Sequence, residues 1–225
     1  MYVSRGSFWS NMPPVVKNLV IINVIMMGIT YLTGDFMFDK FALFYFKSPN
    51  FQPYQYISHM FMHGDIFHLL FNMYTLVIFG MVLEQVWGSK KFLIYYLVTG
   101  LGAALLHTLV LHIEAIPLIN ACEAGNPVAC YSMDLFNKSR TVGASGAIFG
   151  LLLAYGMLFP NNVLQLIFPP IALKAKWFVI IFGAIELSLG IYNPGSSIAH
   201  FAHLGGMIFG FFLILYWKKN NRMYF

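Results

Sequence analysis

Charged side chains are scarce in this sequence: Asp, Glu, Lys and Arg make up 9% of its 225 residues, against roughly 25% in a soluble domain. With 59% hydrophobic residues, that scarcity excludes an ordinary solvated globule and leaves a membrane protein as the class. Acids are the rarest, 8 against 13 Lys and Arg, for a formal net charge of +5. In a soluble chain this excess would suggest nucleic acid, but here the basic residues lie between apolar runs, where a membrane accounts for them. No nucleic-acid partner is expected. Also absent is a continuous apolar core before Pro13 and Pro14, so no cleavable leader is expected and the first apolar run should stay in the mature protein.

Six apolar stretches approach the roughly 17 to 25 residues that cross about 30 Å of hydrocarbon. They lie near 16–33, 66–83, 92–113, 144–159, 177–192 and 198–217, so the expected fold is all-α, one polytopic six-span membrane domain over 1–225. Six spans put both termini on one side. Arg5, Lys17, Lys90, Lys91, Lys174, Lys176, Lys218, Lys219 and Arg222 then share that side, and Lys40, Lys47, Lys138 and Arg140 the other. The positive-inside bias assigns the termini to the cytoplasm. The only cysteines, Cys122 and Cys130, flank Gly125-Asn126-Pro127 in the second outer loop. They are either a disulfide on the oxidising side or two free thiols, and neither reading makes them reactive groups.

Polar side chains inside a bilayer are costly and mark chemistry. Three clusters stand out: His59, His63, Asp65, His68 and Asn72 leading into the second span, Gly143-Ala144-Ser145-Gly146 opening the fourth, and His200 and His203 opening the sixth. These spans run in the same direction. Asn72, Ser145 and His203 lie about one to seven residues beyond their outer ends, which at 1.5 Å per residue is a shared depth of roughly 2 to 10 Å. Serine, histidine and asparagine at one level supply a nucleophile, a base and an oxyanion donor, the minimum for acyl transfer. Gly146, Gly150 and Ala154, and likewise Ala202, Gly206 and Gly210, form small-residue stripes that would let the fourth and sixth helices pack closely. His200 and His203 share a helix face; His203, deeper and beside the stripe, is the expected base, with His200 nearer water.

Together these motifs resemble the rhomboid family of intramembrane serine proteases. Its Gly-x-Ser-x-Gly pattern is met by Gly143, Ser145 and Gly146 with Ala147 in the next place, its sixth-span pattern by His203, Gly206 and Gly210, and its second-span pattern by His59, His63, His68 and Asn72. The resemblance implies a six-helix bundle with a wet cavity open to the outer side, multi-pass in a bacterial inner membrane. It implies a Ser145–His203 dyad without a third acid, and an oxyanion held by Asn72, His68 and the Ser145 N–H. No cofactor and no metal are implied; the partners would be the lipid bilayer and single-span membrane protein substrates. Two positions depart from the family: Tyr54-Gln55 aligns where many members carry an aromatic followed by Arg, and Phe149 stands where many carry a Tyr stacked on the histidine. A phenyl ring can still stack there.

Among the remaining ionisable groups, Glu186 reads as the only acid deep in a helix, expected to hydrogen-bond a neighbouring span rather than take part in chemistry. His59 and His63 are expected to anchor the first outer loop by hydrogen bonds, and His107 and His112 to sit near the outer end of the third span. A metal-dependent membrane protein is the alternative from another mechanistic class, since five histidines fall on one side. It lacks His-Glu-x-x-His and a carboxylate beside the histidine pairs. A rhomboid-like protein that binds transmembrane helices without cutting them is the other alternative; such proteins lose the nucleophile or the base, and Ser145 and His203 are both present.

Overall fold

A computed structural model describes residues 9–166, 170–193 and 199–220. Arg5 and Arg222 of the charge count, and residue 198 of the expected sixth span, lie outside them. The described chain is a helical bundle: α1 (Pro14–Thr33), α2 (Asp35–Phe41), α3 (Gln55–Ser58), α4 (Ile66–Thr75), α5 (Met81–Trp87), α6 (Ser89–Glu123), α7 (Pro127–Lys138), α8 (Ser145–Leu158), α9 (Ala175–Tyr192) and α10 (His200–Lys219). A π-helical segment, Leu76–Gly80, joins α4 to α5, making one apolar rod, Ile66–Trp87. Among the described residues, five helices are long and apolar enough to cross a membrane: α1, the α4–α5 rod, α6, α9 and α10. The protein is an integral, multi-pass membrane protein. The sixth apolar helix, α8, has 14 residues, about 21 Å.

The segment between the third and fourth apolar stretches differs from the loop expected there. α6 runs to Glu123 with Pro117 inside it, a length of about 52 Å, and α7 follows after a short turn. α7 starts because Asn126 caps it, its side chain accepting from the N–H groups of Val128 and Ala129, while Pro127 occupies the first turn, where no N–H is needed. Cys122 and Cys130 are joined by a disulfide that ties α6 to α7. His107 and His112 therefore lie within α6 rather than at its end, His107 Nε2 bonding Thr141 Oγ1 at 2.9 Å and His112 Nδ1 bonding Tyr45 OH at 2.8 Å. An antiparallel hairpin, β1 (Val163–Gln165) with β2 (Ala172–Lys174), links α8 to α9.

Small residues set the central contact. A Cβ on Gly206 would overlap the carbonyl of Gly146, so α10 and α8 touch backbone to backbone there. The expected pairing of the two stripes holds around Gly146, which meets both Ala202 and Gly206 of α10. Elsewhere both turn towards α6, Gly150 facing Thr99 and Gly210 facing Tyr95, and the Tyr95 hydroxyl donates to the Gly150 carbonyl at 2.9 Å. α8 is thereby enclosed by α6 and α10.

A second buried acid escaped the sequence reading. Glu84, 3% exposed, accepts from the N–H groups of Val15 (2.9 Å) and Val16 (2.8 Å) and from Ser89 Oγ (2.6 Å). Pro13 and Pro14 leave the first turn of α1 without a capping side chain of its own, and Glu84 supplies one from α5, a carboxylate at the positive end of a helix. Glu84→Gln should cost about 1.5 to 3 kcal/mol, the range for hydrogen bonds to a charged group. Thermal unfolding in detergent reads this out, and an unchanged midpoint would remove the cap from the stability account.

Candidate active site

Ser145 is the first residue of α8, and two local devices place it there. Leu43 and Thr141 exchange backbone hydrogen bonds at 2.9 Å in each direction, and the Gly143 N–H donates to the His59 carbonyl at 2.9 Å. The segment before α8 is thus held to the segment between α2 and α4. Gly143 has φ of +127°, in the region that favours glycine. A Cβ at this position would also lie 2.8 Å from His68 Nε2 and 3.6 Å from Ser145 Oγ. Only glycine lets the chain turn into α8 with the His68 ring this close to the serine.

The expected Ser145–His203 pair forms. His203 Nε2 lies 2.8 Å from Ser145 Oγ, and the Phe149 ring lies flat against the imidazole, centroids 4.2 Å apart and planes within 6°. The phenyl ring therefore stacks as a tyrosine would. His200 is not nearer water, as expected from its position, but as buried as His203 (5% and 8% exposed). The expectation that no third acid serves the pair, and that no carboxylate accompanies the histidines, is corrected: Glu186 of α9 places Oε2 2.9 Å from His203 Nδ1 and 2.7 Å from His200 Nδ1. Glu186 does reach a neighbouring helix, but the group it reaches is the partner of Ser145.

The tautomer follows from these partners. An ionised carboxylate only accepts, so His203 carries its proton on Nδ1 and turns the Nε2 lone pair to the Ser145 hydroxyl. His68 has the opposite arrangement. Its Nδ1 accepts from the Gly64 N–H at 3.4 Å, which leaves Nε2–H as a donor aimed past Gly143. Its own N–H donates to the Asp65 side chain, the cap of α4, at 2.9 Å. Asn72 is buried, and its side-chain nitrogen donates to the His68 carbonyl at 2.8 Å; it makes no hydrogen bond to Ser145 or His203. The Ser145 N–H, in the first turn of α8, has no intrahelical acceptor.

The surrounding loop explains one departure from the family pattern. Gln55, fully buried, accepts from the N–H groups of Gln52 (3.1 Å) and Phe44 (3.5 Å) and donates to the carbonyls of Asn50 (3.1 Å) and Lys40 (3.3 Å). A neutral amide with both functions ties the segment between α2 and α4 together where an arginine could only donate. His59 anchors the same loop, its ring bonding the Gln55 carbonyl at 2.9 Å, and burial pushes its pKa down to about 4, so it is neutral at pH 7. His63 does not anchor as expected: it is 1% exposed, neither ring nitrogen has a partner of good geometry among the described residues, and the ring packs edge-on against His68 at 5.0 Å.

Glu186, His200 and His203 offer three ligand atoms within 4.8 Å of one another, but their spacing does not suit a metal ion. Ligands of a tetrahedral zinc lie about 3.4 Å apart. Both imidazole nitrogens here are closer than that to one carboxylate oxygen, at 2.7 and 2.9 Å. These are direct hydrogen bonds, and the donor set closes on itself.

Residues 50–220 match the family described as Rhomboid domain. The chain is 28% identical to Rhomboid-like protein 15 of Arabidopsis thaliana over 85% of its own length and 51% of that protein. It is 33% identical to RHOMBOID-like protein 2 of the same plant over 72% and 41%, and 22% identical to the Rhomboid protease GlpG of Yersinia pestis over 92% and 64%. It therefore spans about half the length of the plant relatives. With the helical bundle and the matched region covering most of the chain, this protein belongs to the rhomboid family.

Proposed function

We propose that this protein is an intramembrane serine endopeptidase that cuts membrane-spanning substrates near the outer face of the bilayer. The observation that carries the reading is the 2.8 Å contact of His203 Nε2 with Ser145 Oγ, the imidazole braced by Phe149 on its face. Ser145 Oγ attacks the peptide carbonyl while His203 takes its proton. The oxyanion is met by the Ser145 N–H, His68 Nε2–H and, after leaving the His68 carbonyl, the Asn72 amide. His203 then protonates the departing amine, and water, activated by the same imidazole, releases the acyl group. No metal ion takes part in this sequence.

Six crossings, with α8 as the fourth and both termini in the cytoplasm, complete the proposal. α8 begins at Ser145, so the nucleophile sits at the outer end of a short helix. A substrate helix must unwind to present a peptide bond there, and its exposed backbone needs water. Single-span membrane proteins with helix-weakening residues near their outer ends are the substrate class proposed.

The test is incubation of the purified protein with a panel of single-span membrane proteins, with fragment masses as the readout. Cleavage near the outer end of the substrate span, unchanged by EDTA, is expected. Activity lost to EDTA and restored by zinc would favour the metal-dependent reading. No cleavage across the panel, together with a Ser145 that resists a fluorophosphonate probe, would favour a non-cleaving helix-binding member of the family.

A further inference from the structure

Glu186 lies 11 residues into the 18-residue α9, about 16 Å from its start, and is 8% exposed. A carboxylate so placed in an apolar helix is costly unless hydrogen-bonded donors surround it. Its hydrogen-bond partners among the described residues are two imidazoles from α10, His200 Nδ1 and His203 Nδ1, both on Oε2. The two histidines are three residues apart, on one face of α10 turned to α9. One of them, through its other nitrogen, holds the Ser145 hydroxyl.

We propose that Glu186 is a positioning residue for His203, and that His200 is the second clamp that keeps the Glu186 carboxylate in place. The proposal rests on the function proposed above and goes beyond a two-residue Ser145–His203 machinery. Glu186 touches neither Ser145 nor a substrate and acts only through the imidazole. By accepting from Nδ1–H it fixes the tautomer in which Nε2 is a base. When Nε2 takes the Ser145 proton as the new Oγ–C bond forms, the imidazolium faces an ionised carboxylate, and Glu186 stays ionised throughout. The proton leaves from Nε2 to the amine as the C–N bond breaks. His200 contributes a second N–H to the same oxygen, so the carboxylate does not rely on His203 alone for its solvation and stays aligned while His203 changes charge.

Among the described residues, His68 of α4 and His107 of α6 are also electrostatic neighbours of His203. Where α8 meets it, that helix contributes Ser145 and the Phe149 ring. The Glu186 carboxylate is the acidic group that His203 touches among the described residues.

The experiment uses the full chain and three variants, Glu186→Gln, Glu186→Asp and His200→Gln, with Ser145→Ala as the reference for a dead enzyme. Two rates are followed across pH: kcat and KM on one cleavable substrate, and labelling of Ser145 by a fluorophosphonate. Glu186→Gln should lower kcat by roughly 10²-fold to 10⁴-fold, as loss of the orienting acid does in other serine hydrolases, with KM little changed. The acid limb of its pH profile should move to lower pH, because the imidazolium has lost its counter-charge. Glu186→Asp should recover part of the rate and of the limb, and His200→Gln should cost less than Glu186→Gln. A Glu186→Gln protein that labels and cuts at the parent rate with an unmoved acid limb refutes the positioning role. Should that variant not fold, Glu186→Asp and His200→Gln carry the test, and parent-like profiles in both refute it equally. Failure of the proposed function is separate: it would show as undiminished cutting by Ser145→Ala, whatever Glu186 does.

Discussion

Ser145→Ala should leave a folded, membrane-inserted protein that cuts nothing. Ser145 is the first residue of α8 and caps no helix, since the cap position is Ala144. Its hydroxyl has one hydrogen-bond partner of note, His203 Nε2. Alanine fills the same space, keeps the backbone N–H and removes only the nucleophile. The thermal midpoint should stay near the parent value while cleavage falls to background and fluorophosphonate labelling disappears. Undiminished cleavage would sink the assignment of Ser145, and a large fall in the midpoint would mean that the hydroxyl is part of the packing of α8 against α10.

His203→Ala should be nearly as inactive as Ser145→Ala, whereas His200→Ala should lose far less of its rate. Loss of a positioned base costs on the order of 10²-fold to 10⁴-fold, and His203 alone has a nitrogen on Ser145. His200 meets Glu186 and stays away from the serine, so its loss acts at second hand. Comparison of the two variants on one substrate, with probe labelling as a second readout, separates them. A dead His200→Ala beside an active His203→Ala would mean that α10 is rotated by a turn from the position described here.

Local signals made most of this site legible in the sequence. Ser145, His203, His68 and Asn72 sit at helix starts or in short motifs, where spacing along the chain is also spacing in space. Gly143 and Gly206 likewise mark a turn and a close helix contact. Glu186 could be seen as a buried acid, but its partners lie 14 and 17 residues further along, on another helix. Which side of α9 meets α10 depends on the rotation of a uniformly apolar rod, and no periodicity in its sequence records that. Glu84 was missed for the same reason, since it serves amides 68 and 69 residues away. The long α6 was not legible for a different one: Pro117, which has no N–H to give a helix, stands inside it. Asn126-Pro127, by contrast, carries a local cap and first turn for α7.

The enclosure of α8 by α6 and α10 also bears on how the protein is made. α8 is short, and its glycines are matched to neighbours rather than to lipid, so its settled position depends on α10, whose first residue follows Ser145 by more than fifty positions. Until α10 has been made, Ser145 lacks the His203 imidazole. The hydroxyl gains its partner only once α10 has been delivered and has docked against Gly146. Under the function proposed here, a half-made chain carries a silent nucleophile, and the membrane in which it is being assembled is spared a protease until the bundle closes.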